Sequence, residues 1–231
     1  MAYIYEHIRT NGHEPLHLEE HIEHLKATVV NQFGTIPSLP QEGLRKAIKE
    51  ALQKGNRSSR TMNAVVVRYH ADAEVEVEVQ EMIYSHFSLR AIRPEGYLHR
   101  VSGDSITDNT SVKAALLEFL HSSHEGAAIW VDEMNEVIAI DGQSVVAVFE
   151  DEIRFSQRGS GVEFDLAYNA LSKGRRKVCK GAIRVEELHE AKELLAIGYE
   201  GVTAISHYDG VIYMDILAEK IASMVASEEN F

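Results

Sequence analysis

Ala127-Ala128-Ile129-Trp130-Val131, Val137-Ile138-Ala139-Ile140, Ser144-Val145-Val146-Ala147-Val148-Phe149 and Glu152-Ile153-Arg154-Phe155 follow one another closely along the chain. Each is a short run of apolar and β-branched residues. Met134-Asn135, Asp141-Gly142 and Glu150-Asp151 separate them, and these are turn formers. The stretch reads as four consecutive short strands. Beyond it, apolar spacing predicts a helix over Val162–Leu171, a strand near Lys177–Ile183 and a short helix over Val185–Lys192. Two strands then flank Gly198–Gly201, Asp209-Gly210 makes a turn, and a helix covers Met214–Ala226.

Upstream, Val112, Leu116, Leu117 and Leu120 predict a helix over Thr110–His121. Tyr97–Asn109 is polar and irregular, and Pro94-Glu95-Gly96 interrupts the pattern before it. The expected division is an N-terminal α/β domain over 1–96, a linker over 97–109 and a larger C-terminal α/β domain over 110–231. In the N-terminal part, Tyr3–Arg9 reads as a strand and Asn11-Gly12 as a turn. Leu18, Ile22, Leu25, Val29 and Phe33 form one helical stripe that stops at Gly34. Ser38-Leu39-Pro40-Gln41 resembles a capping box opening a second helix that runs to Lys54-Gly55. Strands follow at Asn63–Tyr69, at the alternating Glu74–Val79, and around Ile83–Ile92.

The 231 residues carry 45% hydrophobic and 26% charged side chains, an ordinary globular balance. A net charge of −13 argues against nucleic acid as a partner, because phosphate binding needs a concentrated basic surface. The basic cluster Lys173-Gly174-Arg175-Arg176-Lys177 reads as a solvated turn into a strand. No apolar run has the length to span a membrane, and no signal peptide is visible at Met1–Glu6. Cys179 is the one cysteine, which excludes an internal disulfide and fits a reducing, cytoplasmic setting.

Several words of sequence resemble the class IV aminotransferases, the fold type IV pyridoxal-phosphate enzymes that include branched-chain and D-amino-acid aminotransferases and aminodeoxychorismate lyase. Glu6-His7-Ile8-Arg9, Gly12 and Leu18-Glu19-Glu20-His21-Ile22-Glu23-His24-Leu25 are similar to that family's opening strand, glycine turn and "LEEHLxRL" helix. Ile129-Trp130-Val131-Asp132 to Ser144 resembles its strand-turn-strand. Val185-Glu186-Glu187-Leu188 to Leu194, then Gly201-Val202-Thr203 and Asp209-Gly210, resembles its "EELxxADEVF…VTPV…DG" segment. The resemblance implies an N-terminal α/β domain, a barrel-like C-terminal α/β domain, a homodimer, and pyridoxal phosphate or another small molecule in the cleft between domains.

Pyridoxal phosphate requires a lysine amine, a carboxylate at its ring nitrogen and a cradle for its phosphate. Taking Asn109 as the family's helix-opening asparagine, the resemblance puts the lysine's place at Ser105 or Ile106. Lys113 falls inside the following helix and becomes the candidate only in a shifted register. The ring-nitrogen glutamate corresponds to Ala139 and the asparagine after it to Ser144. The phosphate-binding arginine corresponds to His24, the glycine-apolar-threonine word to Gly161-Val162-Glu163, and the late phosphate-binding hydroxyl to Tyr199. By resemblance the chain is a pyridoxal-phosphate aminotransferase or lyase. By its residues, that chemistry is not expected.

Other constellations point less far. His17, His21 and His24 are spaced for one helix face and would suit a metal, but the plainer reading is a solvated or half-buried face, and the intervening glutamates favour exposure. Ser105 with His99 and Asp104 or Asp108 lacks the strained-turn word of serine hydrolases. Cys179 between Lys177 and Lys180 reads as a structural strand cysteine. Gly159-Ser160-Gly161, with Glu163 after it, reads as a flexible link rather than a phosphate loop.

Overall fold

The computed structural model describes residues 2–80, 90–93, 95–100 and 126–226. Contacts within the chain divide it into two compact units, one holding residues 2–80 and the other the described residues from 90 to 225.

In the first unit, β1 (Tyr3–Asn11), β2 (Glu14–Pro15), β3 (Met62–His70) and β4 (Val75–Gln80) form an antiparallel sheet in the order β2-β1-β3-β4. β1 pairs along its whole length with β3, from Tyr3 opposite His70 to Asn11 opposite Met62. Alternation along the strands puts Ile4, Ile8, Val65, Val67, Tyr69, Val77 and Val79 on one face. That face packs against α1 (Leu18–Phe33) and α2 (Gln41–Lys54) through Leu18, Ile22, Leu25, Val29, Leu44, Ile48 and Leu52. The capping box expected at Ser38 does not form. The cap position belongs to Pro40, whose carbonyl accepts from Leu44 N–H, so Ser38 stands too early to reach the first turn.

Gly12 shows why the first turn needs glycine. Its φ is +60, and a Cβ there would lie 2.3 Å from the Ser59 carbonyl oxygen. Its N–H donates to the Thr61 carbonyl.

In the second unit, six strands are ordered β11-β10-β9-β12-β13-β5: β5 (Arg90–Arg93), β9 (Ser144–Val148), β10 (Glu152–Ser156), β11 (Lys177–Gly181), β12 (Glu193–Gly198) and β13 (Gly201–Ile205). A second sheet has the order β6-β7-β8, from Glu95–Arg100, Gly126–Val131 and Val137–Ile140, and a hairpin joins β14 (His207–Tyr208) to β15 (Val211–Ile212). Tyr97–Arg100, expected to be irregular, belongs to β6, where parallel pairing with β7 satisfies its polar backbone. The expected helix over Thr110–His121 lies outside the described residues.

The inner strands β9, β12 and β13 of the larger sheet are buried on both faces, which explains why they read as continuous apolar runs. Val145, Ala147, Leu194 and Ala196 face one core with Ile129, Val131, Val137 and Ile140 of the smaller sheet. Val146, Val148, Leu195 and Ile197 face the other, with Phe164, Ala167 and Leu171 of α3 (Val162–Ser172) and Ala218, Ile221, Ala222 and Val225 of α4 (Ile216–Val225). The buried Glu193 carboxylate accepts the Leu217 N–H at 2.8 Å and so caps α4. A 3₁₀ helix, Val185–Glu190, stands where a short helix was expected. The fold is mixed α/β with a curled sheet, as the sequence predicts.

Gly12→Ala is expected to cost about 2 kcal/mol or more, because the added methyl meets backbone in a left-handed conformation. Urea unfolding of the variant beside the parent measures it.

Candidate functional site

The residues that the resemblance assigns to phosphate binding meet at one end of the six-stranded sheet, with one exception. β9 begins there at Ser144, which lies opposite Ile197 of β12. β12 ends at Gly198 and β13 begins at Gly201, so Tyr199 and Glu200 form the tip of their hairpin. Gln143 crosses Gly198 closely: a Cβ on that glycine would sit 3.1 Å from the Gln143 Cγ. The Gln143 Nε2 donates to Glu200 Oε2 at 3.1 Å, and the Tyr199 hydroxyl donates to Glu200 Oε1 at 3.3 Å.

The loop into α3 is tied to the same place. Ser144 Oγ donates to the Ser160 carbonyl at 2.8 Å and accepts the Ser160 N–H at 2.9 Å. A Cβ on Gly159 would lie 2.4 Å from the Phe164 ring, and Gly161 has φ +115, a region open only to glycine. Gly159-Ser160-Gly161 is therefore a fitted turn and not the flexible link expected from composition. Its glycines serve close packing and backbone geometry.

α3 opens at Val162, and its first turn is acidic. Glu163 is only 4% exposed, and Asp165 pairs with Lys180 Nζ at 2.9 Å. Two carboxylates thus occupy the end of the helix where unpaired amides concentrate partial positive charge. Ala139, at the ring-nitrogen glutamate's place, is buried in β8 and carries no charge.

The exception, His24, belongs to the first unit. Glu6 stands on β1 between Ile4 and Ile8, on the strand face that meets α1. His24 Nδ1 lies 2.8 Å from Glu6 Oε2, and His21 Nδ1 lies 2.7 Å from Glu6 Oε1. Burial opposes ionisation of Glu6, but hydrogen bonds and charge from both rings outweigh it and hold the carboxyl below its usual range. Of the solvated or half-buried face expected, the half-buried form is found, and the exposure that the glutamates favoured is corrected at His21. His21 is 1% exposed, and His17 is the α1 cap residue in a left-handed conformation, outside the helix proper. Among the described residues no three His, Cys, Asp or Glu side chains are grouped to hold a metal ion.

Ser105, Ile106 and Lys113, the lysine-place residues, lie outside the described residues, as do Asp104 and Asp108. Burial pushes the Cys179 thiol up, and Glu152 adds to it, so the thiol is not activated. In the basic turn, Arg176 donates to the Phe149 and Glu150 carbonyls, and Lys177 pairs with Glu152. Sequence reasoning missed Glu6, Gln143 and Glu200. The signal for Glu6 was available: a lone acid on the apolar face of an alternating strand.

No family model matches the sequence, and no curated relative matches it. Solved structures do. The chain is similar to a hypothetical aminotransferase from Mycobacterium tuberculosis in its PLP-bound form, with a TM-score of 0.74 and 14% identity over 98% of this chain and 88% of that one. It is similar to a protein from Legionella pneumophila described as a candidate 4-amino-4-deoxychorismate lyase (TM-score 0.73, 12% identity, 98% and 91% covered). It also resembles a branched-chain aminotransferase from Thermoproteus uzoniensis solved with norvaline (0.71, 17%, 97% and 84%). The chain therefore has the fold of the class IV aminotransferases, fold type IV, and at these identities the likeness is one of fold.

His7, beside Glu6, generates a pH prediction. Burial lowers its pKa to about 4; Glu6 opposes that shift, while the charges of Arg68 and His21 add to it. Its folded pKa lies below its unfolded value near 6.5, so the unfolded chain takes up the proton first. Stability is expected to fall as pH drops from about 6.5 to about 4, by roughly 3 kcal/mol at most. Urea midpoints across that window should flatten in His7→Gln.

Proposed function

We propose that this chain is a degenerate class IV aminotransferase-like protein, kept as a scaffold that does not run pyridoxal-phosphate transamination. The single observation that carries the reading is Glu163, buried in the first turn of α3. In the family pattern that turn offers a threonine and backbone amides to a phosphate. Here a buried glutamate stands in that first turn, and its negative charge opposes a second anion. Glu200 adds another carboxylate at the neighbouring hairpin, beside Tyr199.

The remaining positions support the same reading. Ser144 spends its hydroxyl on the Ser160 backbone. His24, in the arginine's place, turns a ring nitrogen to Glu6 and lacks the guanidinium's bidentate fork. Gly161 and Val162 keep the backbone of the helix start but not its partner side chain. Each lost phosphate contact removes about 1–3 kcal/mol. The residues present do not fit the cofactor's phosphate, so no chemical step is routed through it. The reading places the protein in the cytoplasm as a homodimer.

A second reading is an active pyridoxal-phosphate lyase or amino-acid aminotransferase with an atypical site that uses Lys113. Its support is the fold shared along almost the whole chain with a PLP-bound structure.

One experiment separates the two. Purified protein is mixed with pyridoxal phosphate, scanned for visible absorbance, reduced with borohydride and mapped by mass spectrometry. The expected result is no band above free cofactor and no site-specific lysine adduct. A stoichiometric adduct on Lys113 would overturn the first reading and establish the second.

A further inference from the structure

Glu95, Ser206 and His207 form a constellation that the fold's inherited chemistry does not use. Ser206 follows β13, and the Ser206 Oγ lies 2.9 Å from the Nδ1 of His207, the first residue of β14. On its far side, the His207 Nε2 lies 3.9 Å from Glu95 Oε2 of β6. The Tyr97 hydroxyl donates to the same carboxylate oxygen at 2.7 Å and fixes it. β14 lies against β6, and all of these residues belong to one compact unit. The order is nucleophile, base and carboxylate, with the two imidazole nitrogens facing opposite partners.

The surroundings point to a substrate class. His207 pairs with Ile212 across the β14–β15 hairpin, and the Tyr213 N–H donates to the Ser206 carbonyl. Ile212, the cross-strand partner of His207, is 85% exposed and Met214 is 49% exposed, so apolar side chains on and just after β15 stand open to solvent. His207 and Glu95 are about two-fifths exposed, so a ligand from solution can reach them.

We propose that Ser206 is an activated nucleophile that accepts acyl groups from esters with an apolar acyl chain. With its ring proton on Nε2, His207 takes the hydroxyl proton of Ser206 at Nδ1 as Oγ bonds to the ester carbonyl carbon. The carbonyl π pair moves onto its oxygen. When that pair returns, the carbon–alkoxy bond breaks, and the leaving alcohol takes the proton from His207. Water then attacks the acyl-serine, giving its proton to His207. The acyl–Oγ bond breaks, the proton returns to Oγ, and the carboxylic acid departs. Ester and water give acid and alcohol. Glu95 is a positioning residue: it orients His207 and stabilises the ring while it is protonated. Ile212 and Met214 take the acyl chain.

The test treats the full chain with a fluorophosphonate probe and with p-nitrophenyl butyrate, and maps the modified residue by peptide mass spectrometry. The expected outcome is single modification at Ser206, its loss in Ser206→Ala, and labelling about 100-fold slower in His207→Gln. Glu95→Gln should still label, at a rate between those of the parent and His207→Gln, and Glu95→Asp should recover much of the difference. Far-UV dichroism and melting confirm that each variant is folded. Modification elsewhere, labelling undiminished in Ser206→Ala, or a rate unchanged in His207→Gln would overturn the proposal. These readouts do not involve pyridoxal phosphate, so they stand or fall separately from the scaffold reading.

Discussion

Glu163 sits within the first turn of α3 with almost no exposure to solvent, its backbone in the turn that Gly161 opens. A helix start has unpaired amides and partial positive charge, and it stabilises one anion well. In this chain the first turn itself carries Glu163 and Asp165. Ser144 holds the Ser160 backbone on both of its hydrogen-bonding groups, Phe164 lies on Gly159, and Asp165 engages Lys180. These contacts tie the strand ends, the loop before α3 and the helix start to one another.

The bulk of the packing lies away from this helix start. β9 and β12 bury alternate residues in two separate cores, one against the smaller sheet and one against α3 and α4. Those cores need apolar volume and strand alternation, not particular residues at strand ends. Strand-end and loop residues can therefore change while the fold is kept. This is compatible with a TM-score of 0.74 at 14% identity to the hypothetical aminotransferase in its PLP-bound form. Fold and chemistry have separable determinants here.

Much of the fold was legible in the residues. The apolar runs of β7 to β10, the α1 stripe and the Asn11-Gly12 turn obey local rules of periodicity and turn geometry, and local rules are readable in one dimension. Misreadings came where a third partner decides. Ser38 looked like a cap, but only the position of Pro40 relative to the first turn determines who caps. Gly159-Ser160-Gly161 looked flexible, because the Phe164 ring and the Ser144 hydroxyl that fix it come from other elements. His21 and His24 looked solvated among glutamates, yet Glu6 draws both onto the buried face of β1. That Glu163 follows Gly161-Val162 was visible in sequence; its burial was not. The Ser206, His207 and Glu95 grouping had no signal at all, since Glu95 is far away along the chain and reaches them only through the β6–β14 contact.

The most direct measurement compares binding of pyridoxal phosphate with binding of pyridoxal, which lacks the phosphate, by titration calorimetry under one buffer and salt condition. The proposed scaffold reading, with Glu163 buried at the helix start, predicts that the phosphate contributes no affinity, so the two dissociation constants agree within a few-fold or favour pyridoxal. If pyridoxal phosphate binds tighter by about 100-fold or more, as two charge-assisted hydrogen bonds to a phosphate would require, the site accepts an external phosphate and that reading is wrong.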